Sequence, residues 1–406
     1  MKSRGISTAG GFLPKTRLER SEVSQIHDWA LPSLKGKAKG RKAVAPWDQD
    51  SITMAVEAFR NSGATTHNIT QLTLASTSHP FKDRSSSAIA LAALALPDTT
   101  LTTDTSCNRR AGTSALLQAL LNQTPGAAAI LCAEKRAARP GSWAEILWGD
   151  GGAAVVIDSE NPIATLVGWH SSSEDRIDYY IAEGFAPYPG EDRWVKDEVV
   201  APSVVPSGEK ALAAAGISGA DINWAVLPAP LSTSEKSLAK GLGLSNAQLV
   251  TETIMASAGD LGSALPLYGL AVALESAKSG DHILVSSFGN GCDTLIFKVN
   301  KPLATTAGEL SASAQLAESV SISYGAYATS CGLIDLDFGP RAERIEKIAL
   351  SVHERDRKDI TGFLGGKTAA DAPSQFPKSP MALDGTLMAG KDYIDVRLAD
   401  ETATVV

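Results

Sequence analysis

Cys107 is the first residue whose type and setting suggest chemistry. It stands in Thr105-Ser106-Cys107-Asn108-Arg109-Arg110-Ala111-Gly112-Thr113, just before a run at 112–122 whose composition predicts a helix. A thiol at a helix N-terminus meets the positive end of the helix dipole, and two arginines beside it add to that field. Both effects favour the thiolate, which can take an acyl group from a thioester and hand it on in a second step. The other reading of Cys107 is a buried thiol that packs as a small hydrophobe. Asp260, in Gly259-Asp260-Leu261-Gly262-Ser263, stands before a second apolar helical run at 263–279. It caps that helix, or it serves as a donor when protonated and a base when ionised.

Those residues must be positioned by a layered scaffold. From about residue 6 to 299, strand-like runs (72–76, 127–133, 153–158, 163–168, 224–227, 282–287 and 294–299) alternate with helical ones (51–61, 86–93, 112–122, 208–214, 234–241 and 263–279). That alternation predicts an α/β protein. One pattern occurs twice. Ala111-Gly112-Thr113-Ser114-Ala115 opens a helix that turns at Pro125-Gly126 into a strand and closes on Gly149-Asp150-Gly151-Gly152. Leu261-Gly262-Ser263-Ala264-Leu265 does the same through Ser279-Gly280 and Gly289-Asn290-Gly291-Cys292. Both helices are apolar or small on nearly every face, so both should lie buried between layers, making a pseudo-symmetric pair around one centre. The expected division is 1–160 and 161–300 for the halves, with 301–406 a linker and an appendage with little core of its own.

Composition narrows the partners. With 37 basic and 45 acidic side chains in 406 residues, the net charge of −8 argues against nucleic acid, which needs a basic face. The longest apolar stretch, 88–96, is half of the roughly 18–20 residues that span a bilayer, so no membrane crossing is expected. Four scattered cysteines without a C-x-x-C pair suit a reducing cytoplasm and no disulfide framework. His79 and His170 stand at strand ends and could reach a site or simply be satisfied structurally. The loop 171–196, with Tyr179, Tyr180, Tyr188 and Trp194, could cover a channel, and Lys39, Arg41 and Lys42 could grip a nucleotide's phosphates.

Several stretches in order resemble the thiolase superfamily, in its branch of ketoacyl-ACP synthase III and HMG-CoA synthase. They are Lys39-Gly40-Arg41-Lys42, Asp50-Ser51-Ile52-Thr53, Ser76-Thr77-Ser78-His79-Pro80, Arg109-Arg110-Ala111-Gly112-Thr113, Ala138-Arg139-Pro140-Gly141, the hairpin at 149–154 and Ser287-Phe288-Gly289-Asn290-Gly291. The resemblance covers about residues 5 to 300. It implies a five-layered αβαβα fold, acyl-CoA or an acyl carrier as substrate, no cofactor, and a homodimer paired along a sheet edge. Farther on, Ser323-Tyr324, Cys331-Gly332-Leu333, Arg355-Asp356-Arg357-Lys358 and Gln375-Phe376-Pro377-Lys378-Ser379 resemble the segment leading into a zinc-ribbon and OB-fold acyl-CoA-binding module. The ribbon's cysteines are missing, so no structural zinc site is expected there.

The resemblance also exposes departures. The family works with Cys, His and Asn, and HMG-CoA synthase adds a Glu. Aligned without gaps, the nucleophile position falls on Arg109, two residues after Cys107, while the His, Asn and Glu positions fall on Pro228, Asp260 and Thr77. Proline donates nothing, an ionised Asp260 repels an oxyanion, and Thr77 cannot perform a glutamate's proton transfers. The expectation is therefore an acyl-CoA-handling acyltransferase or condensing enzyme acting through a cysteine thioester, but not an HMG-CoA synthase proper. Cys107 and Asp260 are its catalytic candidates, and Arg109, Thr77 and Ser263 its substrate-binding ones. The alternative is a catalytically impaired thiolase-fold subunit that scaffolds an active thiolase or OB-fold partner.

Overall fold

A computed structural model describes residues 4–334, except 67, 107, 183–186, 229–234 and 305–310. The motifs at 355–358 and 375–379 lie outside the described residues. Ten strands form one mixed sheet: β1 (Gly5–Phe12), β2 (Ile69–Ala75), β3 (Leu101–Thr105), β4 (Ala127–Glu134), β5 (Gly151–Asp158), β6 (Ala164–Ser173), β7 (Trp224–Val226), β8 (Gln248–Leu249), β9 (His282–Phe288) and β10 (Gly291–Val299). The principal helices are α1 (Ser51–Asn61), α2 (Ser86–Ala93), α3 (Ala111–Leu121), α4 (Ala201–Ala215), α5 (Glu235–Gly241) and α6 (Leu265–Ser276).

The strand order is β8-β7-β9-β10-β6-β1-β5-β4-β2-β3. Read outward from the centre, β1-β5-β4-β2-β3 on one side mirrors β6-β10-β9-β7-β8 on the other. The directions repeat too. β2 is parallel to β3 and β4, and β7 to β8 and β9; β5 and β10 run antiparallel to their neighbours. The blocks join through a short antiparallel contact, Gly5 with Thr165 and Ile6 with Ala164.

Side-chain alternation separates the layers. In β4, Ala128, Ile130 and Cys132 face a central core that includes α3 and α6, while Ala129, Leu131 and Ala133 face α1 and α2. In β9 and β10, Ile283, Val285, Leu295 and Phe297 join the same central core, while Leu284 and Ile296 face α4 and α5. The result is the expected αβαβα stack, with the apolar helices α3 and α6 in the middle layer. Close approach of the two helix starts depends on Gly112, where a Cβ would sit 2.7 Å from the Ser263 carbonyl oxygen.

Residues 311–334, read from sequence with the tail, pack on this same unit. The Gln315 side chain accepts from the Leu13 amide at 2.7 Å and donates to the Gly11 carbonyl at 3.0 Å. Tyr324 donates to Glu145 at 2.8 Å, and Tyr327 is buried. Among the described residues, no helix is long and apolar enough to cross a membrane.

Candidate active site

The carboxyl ends of β2 and β4 and the starts of α3 and α6 converge, the place where open α/β sheets present ligand-binding groups. Cys107 lies outside the described residues. The two arginines expected to act on its thiol are both neutralised by carboxylates. Arg110 pairs with buried Asp293 at 3.0 Å and donates to the carbonyl of Gly289 at 2.8 Å. Asp293 also accepts from Ser114 and Ser171, each at 2.6 Å, and from Thr113 at 3.1 Å. This hub fastens the start of α3 to β10 and β6.

Arg109 is paired differently. Its guanidinium binds Asp178, lies 3.5 Å from the Asp260 carboxylate and sits over the ring of Tyr179 at 5.1 Å. Arg136, just beyond β4, reaches Asp260 from the other side: one nitrogen lies 3.4 Å from the carboxylate and also donates to the Asp260 carbonyl. Its other terminal nitrogen donates to the Tyr179 hydroxyl at 3.2 Å, and its Cζ lies over the Trp148 ring, 4.3 Å from the centre. Among the described residues, the Arg136 Nε is buried and has no partner.

Asp260 is held by its own backbone. Its amide donates to the Leu147 carbonyl at 2.8 Å and its carbonyl accepts from Gly149 at 3.0 Å, while Oδ1 accepts from Gly262 at 2.9 Å. That last bond caps the turn leading into α6, as sequence allowed. Burial pushes the Asp260 carboxyl up, but Arg136, Arg109 and the Gly262 amide outweigh it and hold it below the usual carboxylate range. Asp260 is therefore ionised at neutral pH, and the protonated donor role is not available to it. Asp178 goes the other way: burial, helped by the nearby Asp260 charge, outweighs Arg109 and raises it.

Thr77 and Ser263 meet on Glu134, a fully buried carboxylate that sequence reading missed. Thr77 donates to it from its amide at 2.9 Å and from its hydroxyl at 3.0 Å. Ser78 donates at 2.7 Å, and the Ser263 hydroxyl donates from the opposite half. Two of the three substrate-binding candidates are thus tied to an internal anion, and the third, Arg109, to two. Cys132 lies beneath, its thiol 3.3 Å from the Ser263 hydroxyl and raised by burial, so it is no nucleophile.

Lys42 departs from the phosphate-gripping expectation. The short strand Arg41–Ala43 turns it inward, where it donates to the Glu145 carbonyl at 2.6 Å and lies 4.5 Å from the Tyr327 ring centre. His170 faces Ser207 at 3.1 Å, and His79 lies 3.4 Å from the Thr105 carbonyl; neither touches the arginine pair. Pro228 is buried at the end of β7. A groove of about 390 Å³ lined by residues including Phe12, Lys15, Gln49, Glu57 and Gln315 holds none of Thr77, Arg109, Arg136, Asp178, Asp260 or Ser263, so chemistry rather than size marks the site. Among the described residues, no group of three or more His, Cys, Asp or Glu is placed to hold a metal ion.

No protein-family model matches the chain. It is 29% identical over 303 residues to a hydroxymethylglutaryl-CoA synthase of Methanocella arvoryzae, covering 73% of this chain and 87% of that one. Its fold matches a crystal structure of HMG-CoA synthase complexed with CoA at a TM-score of 0.66 and 16% identity, over 86% of this chain and 95% of the other. It also matches 3-oxoacyl-(acyl carrier protein) synthase III from Pseudomonas aeruginosa at 0.64 and 17%, over 75% and 100%.

Proposed function

We propose, for a chain that belongs to the thiolase superfamily in its ketoacyl-ACP synthase III/HMG-CoA synthase-like branch, that it is a condensing-type acyltransferase holding its acyl group on Cys107. The observation that carries this reading is the near whole-length match to a synthase, 87% of the Methanocella protein. That span includes the starts of both central helices. The same match favours an enzyme over a scaffolding subunit. Acyl-CoA or an acyl-carrier thioester is the substrate class. The Cys107 thiolate attacks the thioester carbonyl, a new C–S bond forms, the bond to the CoA sulfur breaks, and CoA leaves as its thiolate. This exchange of one thioester for another needs no cofactor.

With proline at 228, charge developing on the carbonyl oxygen falls to backbone amides at the start of α3 and to the guanidinium protons of Arg109 and Arg136. Asp260 orients those two guanidiniums. Thr77 and Ser263 meet on Glu134 from opposite halves, and Glu134 in turn faces Arg136. The exposed edge strand β3, whose Leu101 is 63% exposed, supports a homodimer paired along that edge, and a cytoplasmic location suits an enzyme of acyl-CoA. The test is mass-detected acylation of the purified protein by acetyl-CoA and other short acyl-CoAs, with Cys107→Ala alongside. An adduct on the native protein and none on the variant is the expected result; no adduct on either overturns the reading.

A further inference from the structure

The turn that carries Asp260 is gripped from behind by two buried arginines that the chemistry above does not use. Asp260 follows the short helix Thr251–Ser257, and the last carbonyls of a helix have no partner within it. Arg20 donates to the Met255 carbonyl and, at 3.3 Å, to that of Lys39. Arg17, in the strand Thr16–Glu19, donates from Nε to the Ser257 carbonyl at 3.1 Å. Its other nitrogens reach the carbonyls of Pro14, Thr16 and Gln315, so the whole fork binds main chain. The Ala258 carbonyl accepts from the Ala43 amide at 2.7 Å, and Gly259, at a φ of +87°, turns the chain to Asp260. Both arginines are buried, and among the described residues neither bonds to a carboxylate. A neutral amide could cap these carbonyls without the cost of burying a cation. Burial lowers both arginines to about 10, and the Asp260 charge opposes the fall at Arg20. The grip is therefore electrostatic as well as geometric, and it acts on the carboxylate that Arg109 and Arg136 face more strongly.

We propose that Arg17 and Arg20 are positioning residues for acyl transfer. They hold the end of helix Thr251–Ser257 so that the Asp260 carboxylate stays between the guanidiniums of Arg109 and Arg136. This rests on the acyl-thioester reading above and adds two residues to its machinery. A turn free to drift takes the Asp260 carboxylate with it, and misplaced groups around a reacting carbonyl are costly in rate. The test is the rate constant for acylation of the full chain across a range of acetyl-CoA concentrations. Arg17→Gln and Arg20→Gln should each lower the maximal rate about tenfold and leave the half-saturating concentration unchanged. In an Asp260→Asn background each should cost less than about twofold, because the group they position is already lost. Arg17→Lys and Arg20→Lys keep a cation and one donor but lose the fork, so a loss of about threefold should remain, again only with Asp260 in place. The lysine variants decide the matter if a glutamine variant fails to fold. Equal losses in both backgrounds overturn the proposal, since a role in the fold alone does not depend on the residue at 260. Glutamine variants that react at the native rate also overturn it. No adduct on the native chain overturns the acyl-thioester reading itself, an outcome read before any arginine is changed.

Discussion

The starts of α3 and α6 occupy equivalent places in two copies of one pattern, yet they carry opposite charge. The first presents Arg109 and Arg110, the second Asp260. Backbone demands are shared: both helices lie in the central core, and Gly112 packs on the Ser263 carbonyl. Side-chain demands are not, and each arginine is answered from the second half by its own carboxylate. Arg110 meets Asp293, which is fully buried and takes three hydroxyl donors besides. Arg109 meets Asp260 at the longer distance of 3.5 Å and borrows Asp178 from a loop. The duplicated fold thus sets where the charges sit, and the difference between the two pairs separates a contact made wholly within the scaffold from one completed by a loop.

Asp293→Ala should break that comparison most violently. It leaves the half-buried Arg110 without its carboxylate and strips three hydroxyls of their buried acceptor, a loss of about 3–5 kcal/mol. Urea unfolding should show a lowered midpoint at unchanged slope. Asp260→Asn should cost less, about 1–3 kcal/mol, because Arg109 keeps Asp178, Arg136 keeps the nearby Glu134 charge and the amide oxygen keeps the Gly262 bond. Its pH dependence identifies the cause. A carboxyl held below its unfolded value contributes stability above the ordinary carboxylate pKa and loses it as pH falls through the folded one. The gap between the native protein and Asp260→Asn should therefore be full at pH 7 and close below about pH 4. If Asp260→Asn costs as much as Asp293→Ala, both helix starts are fastenings and the contrast fails.

Legibility followed local chemistry. Helices α1 and α2 were readable to the residue because Asp50 and Ser85 cap them with side-chain acceptors, Asp50 in a capping box with Thr53. Helix α4 begins seven residues before the expected 208, since Pro206 sits inside it and reads in sequence as a break. Strands β1 and β3 were missed: Gly-Ile-Ser-Thr-Ala-Gly-Gly-Phe is too rich in glycine, and Leu-Thr-Thr-Asp-Thr is an exposed edge with no apolar face. At the site, Arg109, Thr77, Ser263 and Asp260 were legible through position in the pattern. Asp178 was not, because nothing local distinguishes it within a loop of mixed charge, and Tyr179 stood out only as one of four aromatics in that loop. Glu134 and Arg136 left one usable signal, charged residues closing an otherwise apolar strand at its carboxyl end.

Lys42 sharpens the contrast from outside the site. Arg109, answered by carboxylates, is held above the ordinary arginine range despite its burial. Lys42 is more deeply buried, but its ammonium bonds to a carbonyl and a ring-bearing hydroxyl, with Asp150 and Glu145 helping only through space. Burial wins there and lowers its pKa to about 8. Below that pH the lysine is protonated whether folded or unfolded, and the folded state bears the full cost of a buried charge. Between about 8 and the unfolded value near 10.4, only the unfolded chain holds the proton, so stability must rise with pH. Lys42→Met keeps the stem's volume and removes the titration. The native protein should gain stability relative to this variant across that window and at no lower pH, measured by urea midpoints at pH 7, 8, 9 and 10. A difference that stays flat would mean that Asp150 and Glu145 compensate the ammonium as fully as Asp178 and Asp260 compensate Arg109, and that a direct carboxylate contact is not what sets the arginine site apart.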